Sequence, residues 1–226
     1  MFFVTFLGHL LFWTLGGVIL CVVVKKVLGD WGSREVHGSP LWSWAMSVCF
    51  QGIVFPLTLA AAGFRPIDTS ESMDMRRLAM FIFWGYISKD FFFPMNFTFW
   101  LHHIACGLCI LPVLYMTPDL MVDYGVHSIM VCMEFGSFSN TLVTIYRPQL
   151  KWWLSLHFIV MTITNIVPFW LLRHIVSRVI APVGWMMMVI LPVLSFLREK
   201  ACIEFINDLW PGAKATSSKT KAEAKS

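Results

Sequence analysis

The sequence predicts an all-α, multi-pass membrane protein of about seven helices packed as a bundle. Three observations lead there. Hydrophobic residues make up 58% of the 226 residues and charged ones only 13%, whereas a soluble domain carries about 25% charge. Mean hydropathy is +0.71. The apolar residues also gather into runs of about 17–25, the length a helix needs to cross hydrocarbon. Inside lipid the backbone must satisfy its own hydrogen bonds, so such runs are read as helices. The 11 Trp and 20 Phe suit interfacial belts and broad helix surfaces.

Element by element, the runs cover 2–24, 41–62, 77–93, 97–116, 120–145, 150–172 and 179–200. The first has no basic leader or small-residue cleavage site, so it is expected to remain in the mature chain. The third is the weakest, because Lys89-Asp90 interrupts it near its end. Pro56, Pro112, Pro168 and Pro192 fall inside spans and predict kinks, not breaks. Residues 1–37 form an N-terminal helix and loop, 38–205 the main membrane domain, and 206–226 a disordered basic tail.

Orientation follows from Lys and Arg. Twelve lie in the loops after helices one, three and five and in the C-terminal segment, counting Lys89, Arg198 and Lys200. Five (Arg65, Arg76, Arg77, Arg173, Arg178) lie opposite. The positive-inside rule then puts the C-terminus in the cytosol. The sequon Asn96-Phe97-Thr98 falls on that cytosolic side and is expected to be unmodified. The six cysteines sit in apolar runs and read as small hydrophobes, Cys106-x-x-Cys109 included, so no metal site is expected. A net charge of +4, small and dispersed, carries no nucleic-acid signature.

Ionisable groups at membrane depth are costly and mark functional sites by default. His102 and His103 lie about 8–10 Å into helix four at 1.5 Å per residue, and Asp90 leaves helix three on the same side. On helix five, Asp123, His127, Glu134, Ser137 and Thr141 recur at intervals of four, seven, three and four, one helical face that must avoid lipid. Asn140 lies toward the cytosolic end, and His157 and Asn165 on helix six could extend the lining. The plain alternative is interhelical glue, worth about 0.6 kcal/mol per contact. That reading suits His9, His157 and His174; His37 reads as a loop residue and Asp123 as an interface charge. It suits a carboxylate and two adjacent imidazoles less well. Imidazole titrates near neutrality and serves proton transfer, and a nearby acid such as Asp90 or Glu134 could fix its tautomer.

Gly85-Tyr86-Ile87-Ser88-Lys89-Asp90, then Trp100-Leu101-His102-His103, then Glu134 running through hydroxyl residues to Asn140 with Arg147 beyond, resemble the motifs of the TLC domain. That membrane module is shared by translocating-chain-associated proteins, ceramide synthases and several lipid-homeostasis proteins. The resemblance covers roughly 38–205. It implies a six-helix barrel-like bundle in the endoplasmic reticulum, preceded here by an extra helix, with a cavity for a long-chain acyl group. It further implies that His102 and His103 form the acyl-transfer pair with Asp90 as supporting acid, and that acyl-CoA is the co-substrate. The chain departs from ceramide synthases in having no His-Asp-x-x-Asp segment, so it is more similar to the diverse TLC-domain-containing group. The expected function is handling of membrane lipids, by acyl transfer or as a non-enzymatic regulator of lipid composition or a cargo or translocation factor. Glu134, Ser137, Asn140 and His127 are the expected lining, no bound cofactor is expected, and a homo-oligomer is compatible with the sequence. A transporter would be expected to show an internal repeat, and none is evident.

Overall fold

A computed structural model of the chain describes residues 2–36, 39–64, 70–93, 97–116, 119–147 and 150–210. His37, Asn96 of the sequon and the tail from Pro211 lie outside the described residues. Seven helices account for nearly all of the rest: α1 (Phe2–Gly32), α2 (Leu41–Ala62), α3 (Ser70–Ser88), α4 (Phe97–Met116), α5 (Leu120–Tyr146), α6 (Lys151–Ile175) and α7 (Ala181–Leu209). Five of these, α1, α2, α5, α6 and α7, are long and apolar enough to cross a membrane. In α4 the described apolar stretch is the shorter Trp100–Tyr115. Helix α3 opens with Glu71, Asp74, Arg76 and Arg77, which lowers its hydropathy over the first two turns.

Helix boundaries depart from the apolar runs where polar residues continue a helix beyond hydrocarbon length. Helix α1 carries on to Gly32 across a kink at Gly29, whose φ of 53° favours glycine. A two-residue antiparallel ribbon, β1 (Glu35–Val36) with β2 (Ser39–Pro40), turns the chain into α2. Helix α3 starts at Ser70 instead of 77 and ends at Ser88, giving way to a 3₁₀ turn over Lys89–Phe92. Phe93 is then extended (φ −125°, ψ 153°), as a residue preceding proline prefers. Helix α7 runs to Leu209, past the expected end at 200, because buried Cys202 and Leu209 keep an apolar face on the bundle.

Of the four prolines inside spans, only Pro56 changes the helix type. Proline cannot donate to the carbonyl four residues back, and α2 widens into a π-helical turn over Phe50–Val54 just before it. Helices α4, α6 and α7 stay α-helical through Pro112, Pro168 and Pro192. At α5 the Asp119 side chain accepts from the Met121 and Val122 amides at 2.8 and 3.2 Å, fixing its first turn.

The main core lies among α2, α3, α4, α5, the second half of α6 and the first half of α7, centred on Phe55, Met80, Phe83, Val113, Val122 and Ile175. Helix α1 packs outside it against α3. A Cβ on Gly17 would lie 2.3 Å from the Gly85 carbonyl oxygen, and one on Gly85 would lie 2.5 Å from the Trp13 carbonyl oxygen. Small residues that let backbones meet are the usual means of helix association in lipid. Thr14 adds hydrogen bonds to Ser88 (3.0 Å) and Trp84 Nε1 (3.0 Å). Gly85→Val should therefore detach α1: a Thr14→Cys/Ser88→Cys pair that oxidises readily in the parent background should lose most of its cross-linking in that variant, measured on gels after mild oxidation.

Candidate functional site

The polar stripe of α5 faces the bundle interior, and the other helices supply its partners. Asp123 is fully buried and accepts from Arg77 Nε at 2.8 Å, so it is a core ion pair and not an interface charge. His127 meets Thr58 on α2: the Thr58 hydroxyl donates to the Phe55 carbonyl (2.8 Å) and accepts from His127 Nε2 (3.0 Å). Thr141 donates to Gln51 Oε1 at 3.2 Å, leaving the Gln51 amide nitrogen to donate to the Glu134 carboxylate. Gln51 sits in the π-helical turn of α2, so the irregularity beside Pro56 helps carry a hydrogen-bonding side chain into the core.

Between α3, α4, α5 and α7 lies a cavity of ≈ 60 Å³. Its walls are apolar, among them Phe83, Ile110, Ile129, Met130, Met187 and Leu191. His102 and Glu134 enter from opposite helices. His102 Nε2 is 3.6 Å from Cys106 Sγ, one turn along α4. Glu134 is 4% exposed, and its Oε2 has no hydrogen-bond partner among the described residues. Cys106 and Cys109 both line the cavity as free thiols. No three His, Cys, Asp or Glu side chains among the described residues come together as metal ligands.

Arg198 lies behind the cavity, one turn past the lining residue Leu194. It lies within α7, not in a cytosolic loop, and its Nη2 donates to the Met133 carbonyl at 2.7 Å. The guanidinium passes over Gly136, where a Cβ would lie 2.5 Å from Nη2 and 2.2 Å from Thr164 Oγ1. Its Nη1 is buried and has no partner among the described residues. Arg198 and Glu134 are not in ion-pair contact. Lys89 is also buried. It pairs with Asp90 and sits over the Tyr86 ring at 4.6 Å. Lys89 and Arg198, expected as cytosolic-side charges, both contact protein instead.

The expected site residues divide into groups. His102 and Glu134 share the cavity. Asp90 and His103 form a second pair beside it: His103 Nδ1 is 3.6 Å from Asp90 Oδ2, beyond hydrogen-bond reach, and Asp90 is held by Lys89. The adjacent imidazoles diverge, their ring centroids 5.6 Å apart, and His103 lies edge-on to Phe91. Ser137 bonds back to the Met133 carbonyl of its own helix at 3.2 Å, and Asn140 is half-buried. Neither of them lines the cavity, and neither does His127.

A further polar seam joins α5, α6 and α7. His157 bridges Ser139 Oγ (2.9 Å) and Cys202 Sγ (3.4 Å), which is the glue role. Thr162 and Asn165 donate to the two oxygens of Glu199 at 2.8 and 2.7 Å, so Asn165 serves helix packing and not the cavity. His9 rests on Phe81 and His174 on Trp170.

Gln51 and Arg198 are the site residues that motif reading passed over. Periodicity could have found the second: Met187, Leu191, Leu194, Arg198 and Cys202 recur every three or four residues, one inward face of α7. Gln51 was signalled only as the one amide in an apolar run before Pro56.

No protein-family model matches the chain, nor does any curated protein or solved structure. What the site can do is therefore argued from its own groups: an apolar slot lined by an imidazole and by a carboxyl group with one unpartnered oxygen. The glycine that admits Arg198 gives a direct check. Gly136→Val should expel the guanidinium and break its bond to Met133, a charge-assisted hydrogen bond worth about 1.5–3 kcal/mol. A lower unfolding temperature in detergent, with no change for Phe135→Val on the exposed face of the same turn, is the expected result.

Proposed function

We propose that the protein acts in membrane lipid metabolism or homeostasis by taking a single aliphatic chain into the cavity between α3, α4, α5 and α7. The observation that carries this reading is a buried apolar slot ending on Glu134, whose Oε2 lacks a partner. A group of that kind is expensive in a membrane unless something polar meets it. Along the helices the lining runs from His102 to Ile110 on α4 and from Glu134 back to Val126 on α5. Eight residues at 1.5 Å each make about 12 Å, comparable to half the ~30 Å hydrocarbon thickness. The slot as it stands is narrow, but Met130, Met133 and Met187 line it, and unbranched thioether side chains re-pack readily around a guest.

Catalysis is the finer part of the proposal. His102 is the group placed to move a proton at the mouth of an acyl chain, which fits transfer from acyl-CoA to a lipid acceptor. The TLC-like motifs around Asp90, His102-His103 and Glu134 support the same assignment, and with it residence in the endoplasmic reticulum. The second reading, a non-enzymatic regulator that binds lipid, is favoured by one observation: Asp90 is committed to Lys89, and neither Asp90 nor His103 lines the cavity.

Purified protein given radiolabelled long-chain acyl-CoA and mixed lipid acceptors should form labelled product, and His102→Ala should abolish it. Equal product from the variant would remove His102 from the mechanism. Lipid that co-purifies with both proteins, without product from either, would favour the regulator. The Lys and Arg distribution, with Lys89 and Arg198 set aside, still places ten positive residues on the C-terminal side against five, so the C-terminus is assigned to the cytosol. A C-terminal epitope on sealed microsomes should accordingly be digested by added protease without detergent.

A further inference from the structure

Cys106 and Cys109 are free, half-buried thiols, and both line the cavity. Of the two, Cys106 alone has an imidazole within hydrogen-bonding reach among the described residues. His102 Nε2 lies 3.6 Å from its Sγ, contact distance for a thiol, and His102 lines the same cavity. The two side chains are one turn apart on α4, neighbours on one helical face, so the helix itself sets the contact. Cys202 offers a comparison. It meets His157 Nε2 at 3.4 Å, but it is 1% exposed, and neither residue lines the cavity. On the wall facing Cys106 stands Glu134, 4% exposed, whose Oε2 has no partner among the described residues. A thiol, an imidazole in contact with it and a carboxyl group thus line one apolar cavity.

We infer that Cys106 is a catalytic nucleophile that carries the acyl chain as a thioester, with His102 as its base. This inference rests on the acyl-transfer reading of the cavity and adds a covalent step to it. The thiolate is the reactive form of cysteine, and an adjacent base generates it. With its own proton on Nδ1, His102 accepts the thiol proton at Nε2. The Cys106 sulfur attacks the carbonyl carbon of a long-chain acyl-CoA. A new S–C bond forms, the bond from that carbon to the CoA sulfur breaks, and the CoA thiolate leaves with the proton from His102. In the second half, a lipid hydroxyl or amine gives its proton to His102 Nε2 and attacks the thioester carbonyl. The Cys106 thiolate leaves and takes that proton back, so no oxidant or further reactant is needed. The apolar lining continues past Cys106 through Cys109 to Ile110 on α4, so the attached chain has a wall to lie along.

The test gives the full chain in detergent radiolabelled palmitoyl-CoA without an acceptor, then maps protein-bound label by peptide mass spectrometry. Label should attach to Cys106, come off with neutral hydroxylamine as a thioester does, and pass into lipid when mixed acceptors are added. Cys106→Ala should lose both label and lipid product, and Cys109→Ala should keep both. His102→Ala should slow labelling by about a hundredfold or more, the scale of general-base catalysis. The wild-type mapping decides the matter even where a variant fails to fold. Lipid product formed at the parental rate by Cys106→Ala, or by wild type with no hydroxylamine-labile label on Cys106, would overturn the covalent step and leave acyl transfer standing. Label that stays on Cys106 in the presence of acceptors would overturn its role as an intermediate. Neither label nor product from wild type would overturn the acyl-transfer reading and this inference with it.

Discussion

Helix α5 carries Asp123, His127, Glu134 and Thr141 along one buried face, and no water is available in hydrocarbon to meet them. Much of the bundle's arrangement can be read as the answer to that constraint. Helix α3 brings Arg77 to Asp123, α2 brings Thr58 to His127 and Gln51 to Thr141 and Glu134, and α7 brings Arg198 alongside Glu134. These contacts join α2 and α3 to the same stripe, so the helices are held in register by polar pairs while apolar packing fills the space between. In lipid this division is expected. Burial of apolar surface does not distinguish a helix neighbour from a lipid tail, whereas an unsatisfied hydrogen bond does.

The same logic makes the unsatisfied atoms informative. Asp123 Oδ2, His127 Nε2 and Thr141 Oγ1 are met by protein, whereas Asp123 Oδ1, His127 Nδ1, Glu134 Oε2 and Arg198 Nη1 have no partner among the described residues. Of these four residues, Glu134 is the one that lines the apolar cavity. Local irregularities converge on that point as well. The π-helical turn of α2 delivers Gln51, and Gly136 leaves room on α5 for the guanidinium. Irregular helix geometry and a missing Cβ both serve to bring polar groups to one place.

The class of fold was legible because membrane crossing imposes a length and a hydropathy that any chain must display. The inward face of α5 was legible for a related reason: Asp123, His127, Glu134 and Thr141 repeat with the helical period, and hydrocarbon leaves a polar face no alternative. Helix ends were not legible from hydropathy, since Ser70–Arg77 and Arg198–Leu209 are helical without being apolar throughout. The pairing of side chains across helices was least legible of all. Adjacent His102 and His103 point about 100° apart on any α-helix, but which of them turns to the cavity depends on how α4 is rotated against α5 and α7. From sequence, Lys89 and Arg198 read as cytosolic-side charges because they lie near the ends of apolar runs. It is the extension of α7, and the ion pair with Asp90, that turn both inward.

The cavity walls also differ in how firmly they are held. Helices α5, α6 and α7 are joined by the Ser139–His157–Cys202 bridge and by Thr162 and Asn165 on Glu199. Across the slot, the stretch of α4 that bears His102 makes its polar contact within its own helix, to Cys106, while His103 stops short of Asp90 at 3.6 Å. Aromatic edges, Trp100 and His103 against Phe91, hold it in place of hydrogen bonds. Dispersion contacts of that kind reform after a small displacement, whereas a broken buried hydrogen bond leaves an uncompensated polar atom. Among the described residues, the α4 wall is thus held by dispersion contacts where α5 and α7 are held by hydrogen bonds. His102 lies on the wall held by dispersion contacts, and Glu134 on the wall held by hydrogen bonds.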